Sequence, residues 1–500
     1  MTMHEVWRAQ NKYLIGLFLF ILAILSTLFF SHNSPLYYYN GWVDSNAYFT
    51  VARGMMNGKT LYAGIFDQKG PYLYFLHVLA LMITPHHYWG ILPFQISALF
   101  IDLVVIYRWG RLYLSRQATV LVPLGFLAIY FNYIYYQRGD SAEEFCLPFI
   151  MLIYYLLTKL LLKDCLPSRV ETIIMSFGVG FILLVKFSLL VPVAAAYLIL
   201  WGCMVQRRHL NELKVNLAWS LVGFSVAWMP IVLYFGLTNS LDAFWHGYFY
   251  TNLFLYNAEY GHGLLGSIIG KWVILPAQYF SQIPWMFGII VFGTAMVLMS
   301  QNFFSLEIHR WWFLLVMLAN YFAVIAPIRF NHYYLALLPL SIPGLIMAAR
   351  WVDRLFRGQQ VRPLSLAVLA LLSVFLGTMQ NPWVRSESRL TSEQPVITQI
   401  TYPIEQGGNS HFILYKMMDA GYFMLSGQVP QEKYFAAYNI SHNALPAAED
   451  SQQKAIRMGR YKYVITDQSA VNEVMALNPK YHLIRTAHWD TIRAALMERE

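Results

Sequence analysis

Charged residues are scarce in this chain: they make up 12% of its 500 residues, whereas hydrophobic residues make up 58%. A soluble globular domain carries about 25% charged residues, so this composition excludes a soluble fold. Cysteine is scarcer still, because the chain has only Cys146, Cys165 and Cys203. All three lie in or beside apolar segments, which excludes a disulfide framework and a paired-cysteine metal site.

A basic surface of the kind that binds nucleic acid is also missing, although the net charge is +9. Lysine and arginine occur in short loops between apolar segments, which is a pattern of membrane topology. The sequence has no Walker-type glycine-rich loop for a nucleotide either. We therefore expect membrane lipids as partners and no nucleic acid.

Apolar segments of about 15 to 23 residues are abundant, and this length crosses a hydrocarbon core of about 30 Å. The predicted fold class is an all-α polytopic membrane protein with about 11 transmembrane helices. The apolar segment 71–84 has about 14 residues, which is too short to cross, so we expect it to be interfacial or re-entrant. The predicted spans are residues 13–30, 88–107, 118–135, 145–163, 171–185, 187–205, 215–237, 283–300, 311–326, 333–349 and 364–378.

The distribution of basic residues predicts the topology. With the N-terminus in the cytoplasm, every loop predicted inside carries lysine or arginine, as the positive-inside rule requires. We expect a multi-pass protein of the cell inner (plasma) membrane with a cytoplasmic N-terminus and an extracytoplasmic C-terminal domain. The predicted inside loops contain Arg108, Arg111 and Arg116; Lys163 and Arg169; Arg207, Arg208 and Lys214; Arg310; and Arg350, Arg354, Arg357 and Arg362.

Two domains are predicted, a transmembrane domain at 1–378 and a small extracytoplasmic α/β domain at 379–500. The second is polar and mixes β-like runs at 412–415 and 463–466 with a helical stretch near 447–458. The outer loops of the first domain are predicted at residues 31–88, 136–144 and 238–282.

Asp44 stands at the start of a predicted helix in the first outer loop, where Tyr48, Val51, Ala52 and Met55 follow an amphipathic pattern. We expect this helix to lie on the membrane surface. Asp44 has two interpretations. It is the N-cap of the helix, which the local sequence favours, or a general base that removes a proton from an acceptor group.

Lys69 follows Asp67 directly before the short apolar segment, in the run Asp67-Gln68-Lys69-Gly70-Pro71. One interpretation is a turn with a surface lysine. The other is a point charge that holds a lipid phosphate and neutralises the charge that grows on a leaving group.

Asp140, Glu143 and Glu144 follow Arg138 in a very short outer loop. Three carboxylates within so short a loop are poorly explained as a solvated face. They could bind an acceptor amine, orient the base or hold a divalent cation. Alternatively, they are acidic residues of the kind that a helix N-terminus favours.

Lys186 interrupts an apolar run, so it lies either at a turn between two spans or within one long helix. Its side chain either snorkels to the interface or contacts a phosphate. A further outer loop contains Arg329, His332 and Tyr333. These residues either clamp a phosphate or a sugar, or anchor the chain at the interface.

The order of these features resembles the GT-C superfamily of glycosyltransferases, in particular protein O-mannosyltransferases and the lipid A aminoarabinose transferase. In that family an acidic catalytic residue in the first outer loop matches Asp44, and a lysine that approaches the lipid phosphate matches Lys69. The family motif continues with two prolines, whereas glycine and proline follow Lys69 here. A second acidic site matches the 140–144 turn loosely, and Lys186 is similar to a recurring family position.

The resemblance extends from about residue 10 to 205 and is compatible through 350. It implies an inverting transfer of a sugar from a polyprenyl-phosphate donor to an extracytoplasmic glycan, lipid or protein. Asp44 would activate the acceptor, and the lipid phosphate would leave toward Lys69, helped by Lys186 and Arg329. A divalent cation is the one cofactor left open. The expected contacts of the sugar or lipid head are Asp67, Arg138, His332 and Tyr333.

A lipid-linked sugar flippase or transporter is the rival from another class, but it should place its binding groups near the bilayer midplane and often in repeats. The charged candidates here cluster at one predicted surface, and the sequence contains no internal repeat. A polysaccharide polymerase or ligase is not separated by sequence. The glycosyltransferase prediction requires that Asp44, Lys69 and the 140–144 turn converge beside the exterior surface.

Overall fold

The computed structural model describes most of the chain, and contacts between residues divide it into two compact units. The first unit comprises Met1–Ser31, Leu92–Pro230 and Leu264–Val384, and the second comprises His32–Ile91, Ile231–Gly263 and Arg385–Glu500. The described residues are 3–256, 281–301, 303–325, 330–355, 363–389, 395–406, 411–489 and 491–500.

The first unit is built from helices. Its short 3₁₀ segments are Ala118–Val120, Phe187–Leu189 and Asn331–Ser341. The Leu210–Leu237 and Trp383–Ser386 helices extend past its boundaries. Its α-helices are Met3–Phe30, Leu92–Gly110, Leu121–Tyr130, Tyr133–Tyr136, Ala142–Lys163, Arg169–Lys186, Leu190–Gln206, Leu210–Leu237, Pro284–Met299, Glu307–Ile325, Ile342–Leu355, Pro363–Met379 and Trp383–Ser386.

Within the described residues, six helical segments are long and apolar enough to cross a membrane. Four further apolar helices are shorter, and one of them is Pro71–Ile83, the segment predicted to be too short to cross. The predicted all-α polytopic architecture is therefore confirmed, while the count of eleven spans stays a prediction. The six long segments are Tyr13–Phe30, Tyr88–Gly110, Ala142–Lys163, Arg169–Gln206, Leu210–Leu237 and Asn331–Arg354.

The apolar run from Arg169 to Gln206 is interrupted at Lys186. This residue has φ −154° and ψ 89°, which lies far from helical values, and the Arg169–Lys186 helix ends there. A 3₁₀ segment at Phe187–Leu189 then leads into the Leu190–Gln206 helix. Of the two predicted alternatives, the structure therefore has the turn.

The Ala142–Lys163 helix is central to the first unit, because it packs against the Leu92–Gly110, Arg169–Lys186 and Leu190–Gln206 helices. Close packing also needs small residues: a Cβ at Gly180 would lie 2.7 Å from the Cβ of Ala227. Helices in a membrane associate through such close contacts, since lipid offers no hydrophobic drive between them.

The second unit contains a four-stranded sheet near the C-terminus, formed by β1 (Phe412–Tyr415), β2 (Tyr463–Asp467), β3 (Tyr481–Trp489) and β4 (Ile492–Arg499). The strand order is β1-β2-β4-β3. The β1 and β2 strands pair in parallel, with Phe412 opposite Tyr463, and the other pairs are antiparallel. The predicted β-like runs at 412–415 and 463–466 are confirmed as β1 and β2.

Helices cover this sheet and build the rest of the second unit. Ala455 and Ile456 from the Pro446–Arg457 helix pack on Val464 and Met497 of the sheet. The helical segments of this unit are Val43–Met56, Pro71–Ile83, Tyr88–Ile91 (3₁₀), Leu241–Phe244, Trp245–Leu255 (π), Thr398–Gln406, Tyr422–Ser426, Pro446–Arg457, Gln468–Ala470 (3₁₀) and Val471–Leu477.

The second unit combines segments that are distant in the sequence. Residues 385–500 pack with the loops 32–91 and 231–263 as one unit, which differs from the sequential division predicted between residues 378 and 379. A division by contacts joins segments that a scan along the sequence separates.

The predicted helix in the first outer loop is present as Val43–Met56. Its apolar residues Tyr48, Val51 and Ala52 are covered by protein, because the helix packs against Pro71–Ile83 and Tyr422–Ser426. A simple amphipathic surface helix is therefore the wrong description, since both faces have protein neighbours. Its position at a membrane surface stays a prediction.

Candidate active site

Asp44 and Lys69 form an ion pair in the second unit. The Lys69 Nζ lies 3.4 Å from the Asp44 Oδ2, and the two side chains are 16% and 19% exposed. The Tyr48 hydroxyl donates to the same Asp44 oxygen at 3.3 Å. The pair is thus mostly covered, yet part of each side chain is exposed.

Asp44 does not cap its helix. The helix begins at Val43, and the N-cap position is Trp42, which makes no side-chain capping bond. The N-cap interpretation, which the local sequence favoured, is wrong because the helix begins at Val43, two residues earlier than an Asp44 cap would require. Asp44 instead lies in the first turn, where the helix dipole stabilises a negative charge.

Two tyrosines fix the backbone of Lys69. The Tyr62 hydroxyl donates to the Lys69 carbonyl oxygen at 2.6 Å, and the Lys69 N–H donates to the Tyr74 hydroxyl at 2.9 Å. The Tyr74 hydroxyl in turn donates to the Asp67 Oδ2 at 2.8 Å. A loose turn with a surface lysine is therefore the wrong interpretation of this segment.

Asp67 is buried directly beside this turn. Burial is the largest influence and raises the pKa of its carboxyl above the usual 3.8, while Lys69 and the Tyr74 hydrogen bond lower it. In the structure the Asp67 carboxylate braces Tyr74 and, through it, Lys69. Its expected contact with the sugar or lipid head stays a prediction.

The described part of the third outer loop contacts the same turn. The Asn252 Nδ2 donates to the Gln68 carbonyl oxygen at 2.6 Å from the Trp245–Leu255 π-helix. Gly247 in this helix lies on Tyr62, because a Cβ there would come within 2.7 Å of the tyrosine side chain. A π-helix is rare and is frequently found at functional sites.

In the first unit, Lys186 pairs with Glu143 and lies over a tyrosine ring. Its Nζ donates to the Glu143 Oε1 and is 3.2 Å from the centroid of the Tyr333 ring. The side chains of Lys186 and Glu143 are 12% and 1% exposed. Snorkelling does not describe this lysine, since its ammonium group is held by a buried carboxylate. Phosphate binding by Lys186 stays a prediction.

Asp140 and Glu144 form a second group in the first unit. The Asp140 N–H donates to the Glu144 Oε2 at 2.7 Å, and Gln95 Nε2 donates to both Glu144 oxygens at 3.1 and 3.2 Å. The Ala142–Lys163 helix is capped by Ser141, whose Oγ accepts from the Glu144 N–H at 3.0 Å. The helix N-terminus interpretation is therefore confirmed for Glu143 and Glu144, which lie in the first turn.

The backbone before this helix is unusual. Asp140 has a φ of +76°, and it follows Gly139 at φ +82°. A non-glycine residue in this left-handed region costs free energy and is found often at functional sites. Asp140, Glu143 and Glu144 are buried, so a solvated acidic face is excluded, as the short loop predicts.

The remaining predicted site residues have mixed outcomes. Arg138 lies 4.2 Å from the centroid of the Trp383 ring, and His332 stacks on Phe330 with centroids 5.7 Å apart. Arg329 lies outside the described residues. No group of three or more His, Cys, Asp or Glu side chains that could hold a metal occurs in the described part of the chain.

The structure therefore brings Asp44, Lys69 and Asp67 together in the second unit, and Glu143, Lys186 and Tyr333 in the first. The convergence of the two groups stays a prediction. The sequence argument missed Tyr62, Tyr74 and Asn252, whose hydroxyl and amide groups hold the Lys69 turn.

No family model matches this chain, and no curated protein matches its sequence. Solved structures do match. The crystal structure of ArnT from Cupriavidus metallidurans bound to undecaprenyl phosphate covers 98% of both chains, with a TM-score of 0.65 and 14% identity. The chain has the GT-C fold. The apo state of the same ArnT matches with a TM-score of 0.59, 13% identity and the same coverage.

The GT-C resemblance predicted from the sequence is thus confirmed at the level of the fold. The match covers 98% of the chain, whereas the sequence resemblance was compatible only through about residue 350. The archaeal oligosaccharyltransferase AglB from Archaeoglobus fulgidus, in complex with an inhibitory peptide and a dolichol-phosphate, is more distant. It has a TM-score of 0.48 and 11% identity over 93% of this chain and 71% of AglB.

Proposed function

We propose that this protein is an inverting glycosyltransferase that moves a sugar from a polyprenyl-phosphate donor to an extracytoplasmic acceptor. The observation that carries the proposal is the ion pair between Asp44 and Lys69, which places a carboxylate and an ammonium group 3.4 Å apart. A displacement at the anomeric carbon needs a base that removes the proton of the acceptor and a positive charge beside the leaving phosphate.

The reaction is a single displacement. The Asp44 carboxylate takes the proton of the acceptor hydroxyl or amine while the oxygen or nitrogen of the acceptor forms a bond to the anomeric carbon. The bond from that carbon to the phosphate oxygen breaks, and its electron pair stays on the phosphate, which Lys69 stabilises. Attack opposite the leaving group inverts the configuration of the sugar.

The ion pair also gives the reaction an order. A carboxylate that is paired with an ammonium group is a weaker base than a free one, because the positive charge stabilises its ionised form. When the donor phosphate arrives, it competes for the Lys69 ammonium and releases Asp44. The donor therefore binds first and activates the base.

The fold supports a lipid-linked donor, because the matching ArnT structure holds undecaprenyl phosphate. We further propose that the protein lies in the inner (plasma) membrane with its N-terminus in the cytoplasm and residues 379–500 outside. The acceptor is a glycan, lipid or protein of the cell envelope. A polysaccharide polymerase or ligase would use the same site chemistry.

The test is an analysis of the lipids and glycans of three strains. One lacks the gene, one carries Asp44→Asn and one carries Asp242→Asn. Asp242 is the matched control, because it is an outer-loop aspartate whose side chain is 90% exposed. The deletion and Asp44→Asn should both lose one sugar decoration and accumulate its polyprenyl-linked donor, while Asp242→Asn should be normal. Unchanged glycans in the Asp44→Asn strain would reject this catalytic assignment.

A second arm separates transfer from transport. Purified protein is reconstituted into sealed vesicles with the accumulated donor lipid, and the donor is followed with and without a cell-envelope extract as the acceptor. A transferase consumes donor only when acceptor is present and leaves polyprenyl phosphate. Movement of intact donor across the bilayer without its consumption would favour the flippase instead.

A further inference from the structure

Residues 417–438 of the C-terminal domain bind the first outer loop at two places, the helix that carries Asp44 and the turn that carries Lys69. At the helix, the Thr50 Oγ1 donates to the Asp419 Oδ2 at 2.6 Å, and an Arg53 nitrogen donates to the Phe423 carbonyl oxygen at 2.8 Å. Asp419 is buried, and burial raises the pKa of its carboxyl. The helix that carries Asp44 is thus fixed to the C-terminal domain.

At the turn, Phe66 is held through both of its backbone polar groups. Its N–H donates to the Lys433 carbonyl oxygen at 3.0 Å, and its carbonyl oxygen accepts from the Tyr438 hydroxyl at 2.9 Å. Its ring packs on the rings of Tyr434 and Tyr438, with both centroid distances 5.2 Å. Phe66 directly precedes Asp67 and lies three residues before Lys69.

The hydrogen bonds to the Phe66 backbone constrain the turn more specifically than side-chain packing does. A buried backbone carbonyl needs a donor, and removing that donor costs more than an ordinary contact. The donor for Phe66 comes from a segment more than 360 residues away, since the sequence separation of the Tyr438–Phe66 bond is 372. The position of the turn that carries Lys69 therefore depends on the C-terminal domain.

We propose that the 433–438 segment positions Lys69 for the donor phosphate, with Tyr438 as the positioning residue. This inference rests on the proposed function and gives the C-terminal domain a role in donor binding. Tyr438 touches neither Asp44 nor Lys69 in the contacts described; it acts through Phe66 and the turn that follows. Asp419 and Thr50 fix the helix of Asp44 in the same way.

The experiment is a titration of the purified full-length protein in lipid nanodiscs with undecaprenyl phosphate as the probe, comparing wild type, Tyr438→Phe and Tyr434→Phe. Tyr438→Phe removes the hydroxyl and keeps the ring. Tyr434→Phe is the matched control, because its ring has the same distance to Phe66 and none of the described hydrogen bonds involves its hydroxyl. We expect Tyr438→Phe to raise the Kd roughly three- to tenfold, and Tyr434→Phe to leave it unchanged.

A double-mutant cycle with Lys69→Ala distinguishes positioning from general destabilisation. If Tyr438 acts through Lys69, Tyr438→Phe should have little further effect on the Kd in the Lys69→Ala background. The inference would be overturned if Tyr438→Phe bound the probe like the wild type. It would also be overturned if Tyr438→Phe weakened binding as much in the Lys69→Ala background as in the wild-type background. A wild-type protein that does not bind the probe would instead remove the proposed donor, and this inference with it.

Discussion

Lys69 has an ammonium group on a carboxylate and a backbone held by two tyrosines, so its position is set before any ligand binds. This preorganisation is what electrostatic stabilisation of a leaving group requires, since the charge must not reorganise during the reaction. In the proposed reaction the backbone of Lys69 stays in place while its ammonium group exchanges partners. Its partner in the resting protein is Asp44, which the donor phosphate displaces in the proposed reaction.

Lys69→Ala should weaken binding of polyprenyl phosphate by about tenfold or more, because a charge-assisted hydrogen bond to a phosphate contributes roughly 1.5–3 kcal/mol. Lys69→Arg keeps the charge and should bind better than Lys69→Ala. The control is Lys462→Ala, which removes an exposed lysine from the C-terminal domain. Equal Kd values for Lys69→Ala and the wild type would exclude Lys69 as the phosphate ligand.

Asp67 gives a prediction for pH. Because its folded-state pKa is raised above 3.8, the folded protein holds this proton when the unfolded chain has already lost it. Stability from this group is therefore full below pH 3.8 and is lost as the pH rises through the raised pKa. Asp67→Asn keeps an acceptor for Tyr74 and cannot ionise, so its thermal stability relative to wild type should increase from pH 4 to pH 7.

The thermal unfolding of both proteins in one detergent checks this, with Asp242→Asn as the control at an exposed site. The Tm difference between Asp242→Asn and wild type should not change with pH. If Asp67→Asn became less stable relative to wild type as the pH rose, the raised pKa that burial gives Asp67 would be contradicted.

At the scale of residues, the sequence could predict the ionic candidates but not their supports. Asp44 and Lys69 stand out because charge is rare here, and Glu143 and Lys186 stand out for the same reason. Tyr74 does not, because it is one of 35 tyrosines in the chain and its bond to Lys69 depends on how the turn folds back. The N-cap of the Val43–Met56 helix is Trp42, two positions before Asp44, which rules out the capping interpretation of Asp44.

At the scale of elements, the ion pair of Lys186 connects two helices. The end of the Arg169–Lys186 helix presents its ammonium group to Glu143, which lies in the first turn of the Ala142–Lys163 helix. A carboxylate in that turn also interacts favourably with the helix dipole. The ion pair therefore holds the end of the Arg169–Lys186 helix beside the start of the Ala142–Lys163 helix.

Glu143→Gln should lower stability strongly, by roughly 3–5 kcal/mol, because it leaves the Lys186 ammonium buried without its carboxylate. The double variant Glu143→Gln with Lys186→Met should recover much of that loss. Lys462→Gln, at an exposed pair with Glu498, should leave stability nearly unchanged, because solvent screens such a pair. Thermal unfolding measures all three, and equal Tm values for Glu143→Gln and wild type would refute the buried pair.

The elements differ in how well the sequence predicts them. Long apolar runs and the short strands β1 and β2 follow from composition, since apolar β-branched and aromatic residues are concentrated there. The 3₁₀ segment Asn331–Ser341 and the π-helix Trp245–Leu255 do not, because an apolar pattern does not separate these from an α-helix.

At the scale of the whole molecule, the C-terminal domain and the first outer loop belong to one compact unit. No pattern in the sequence indicates that Phe66 pairs with Lys433 and Tyr438, since the bonds are backbone-directed and join distant segments. The sequence could predict that residues 379–500 are a polar α/β region. It could not predict what that region packs against.

Topology is testable with the protein's own cysteine. Cys165 is exposed and lies in a loop that is predicted to be cytoplasmic, whereas Cys146 and Cys203 are buried. A membrane-impermeant thiol reagent should therefore label Cys165 only after permeabilisation. Asn57→Cys, at an exposed position in the first outer loop, should be labelled in intact cells. Labelling of Asn57→Cys only after permeabilisation would place the Asp44 loop on the wrong side.

The central claim is that Asp44 is the base, and it is tested most directly with the donor lipid that the Asp44→Asn strain should accumulate. That lipid is given to purified wild-type and Asp44→Asn protein with a cell-envelope extract, and the release of polyprenyl phosphate is measured. We expect the wild type to release polyprenyl phosphate, and Asp44→Asn to bind the donor lipid at least as well but release polyprenyl phosphate about 10²- to 10⁴-fold more slowly. Release by Asp44→Asn at the wild-type rate would contradict the account.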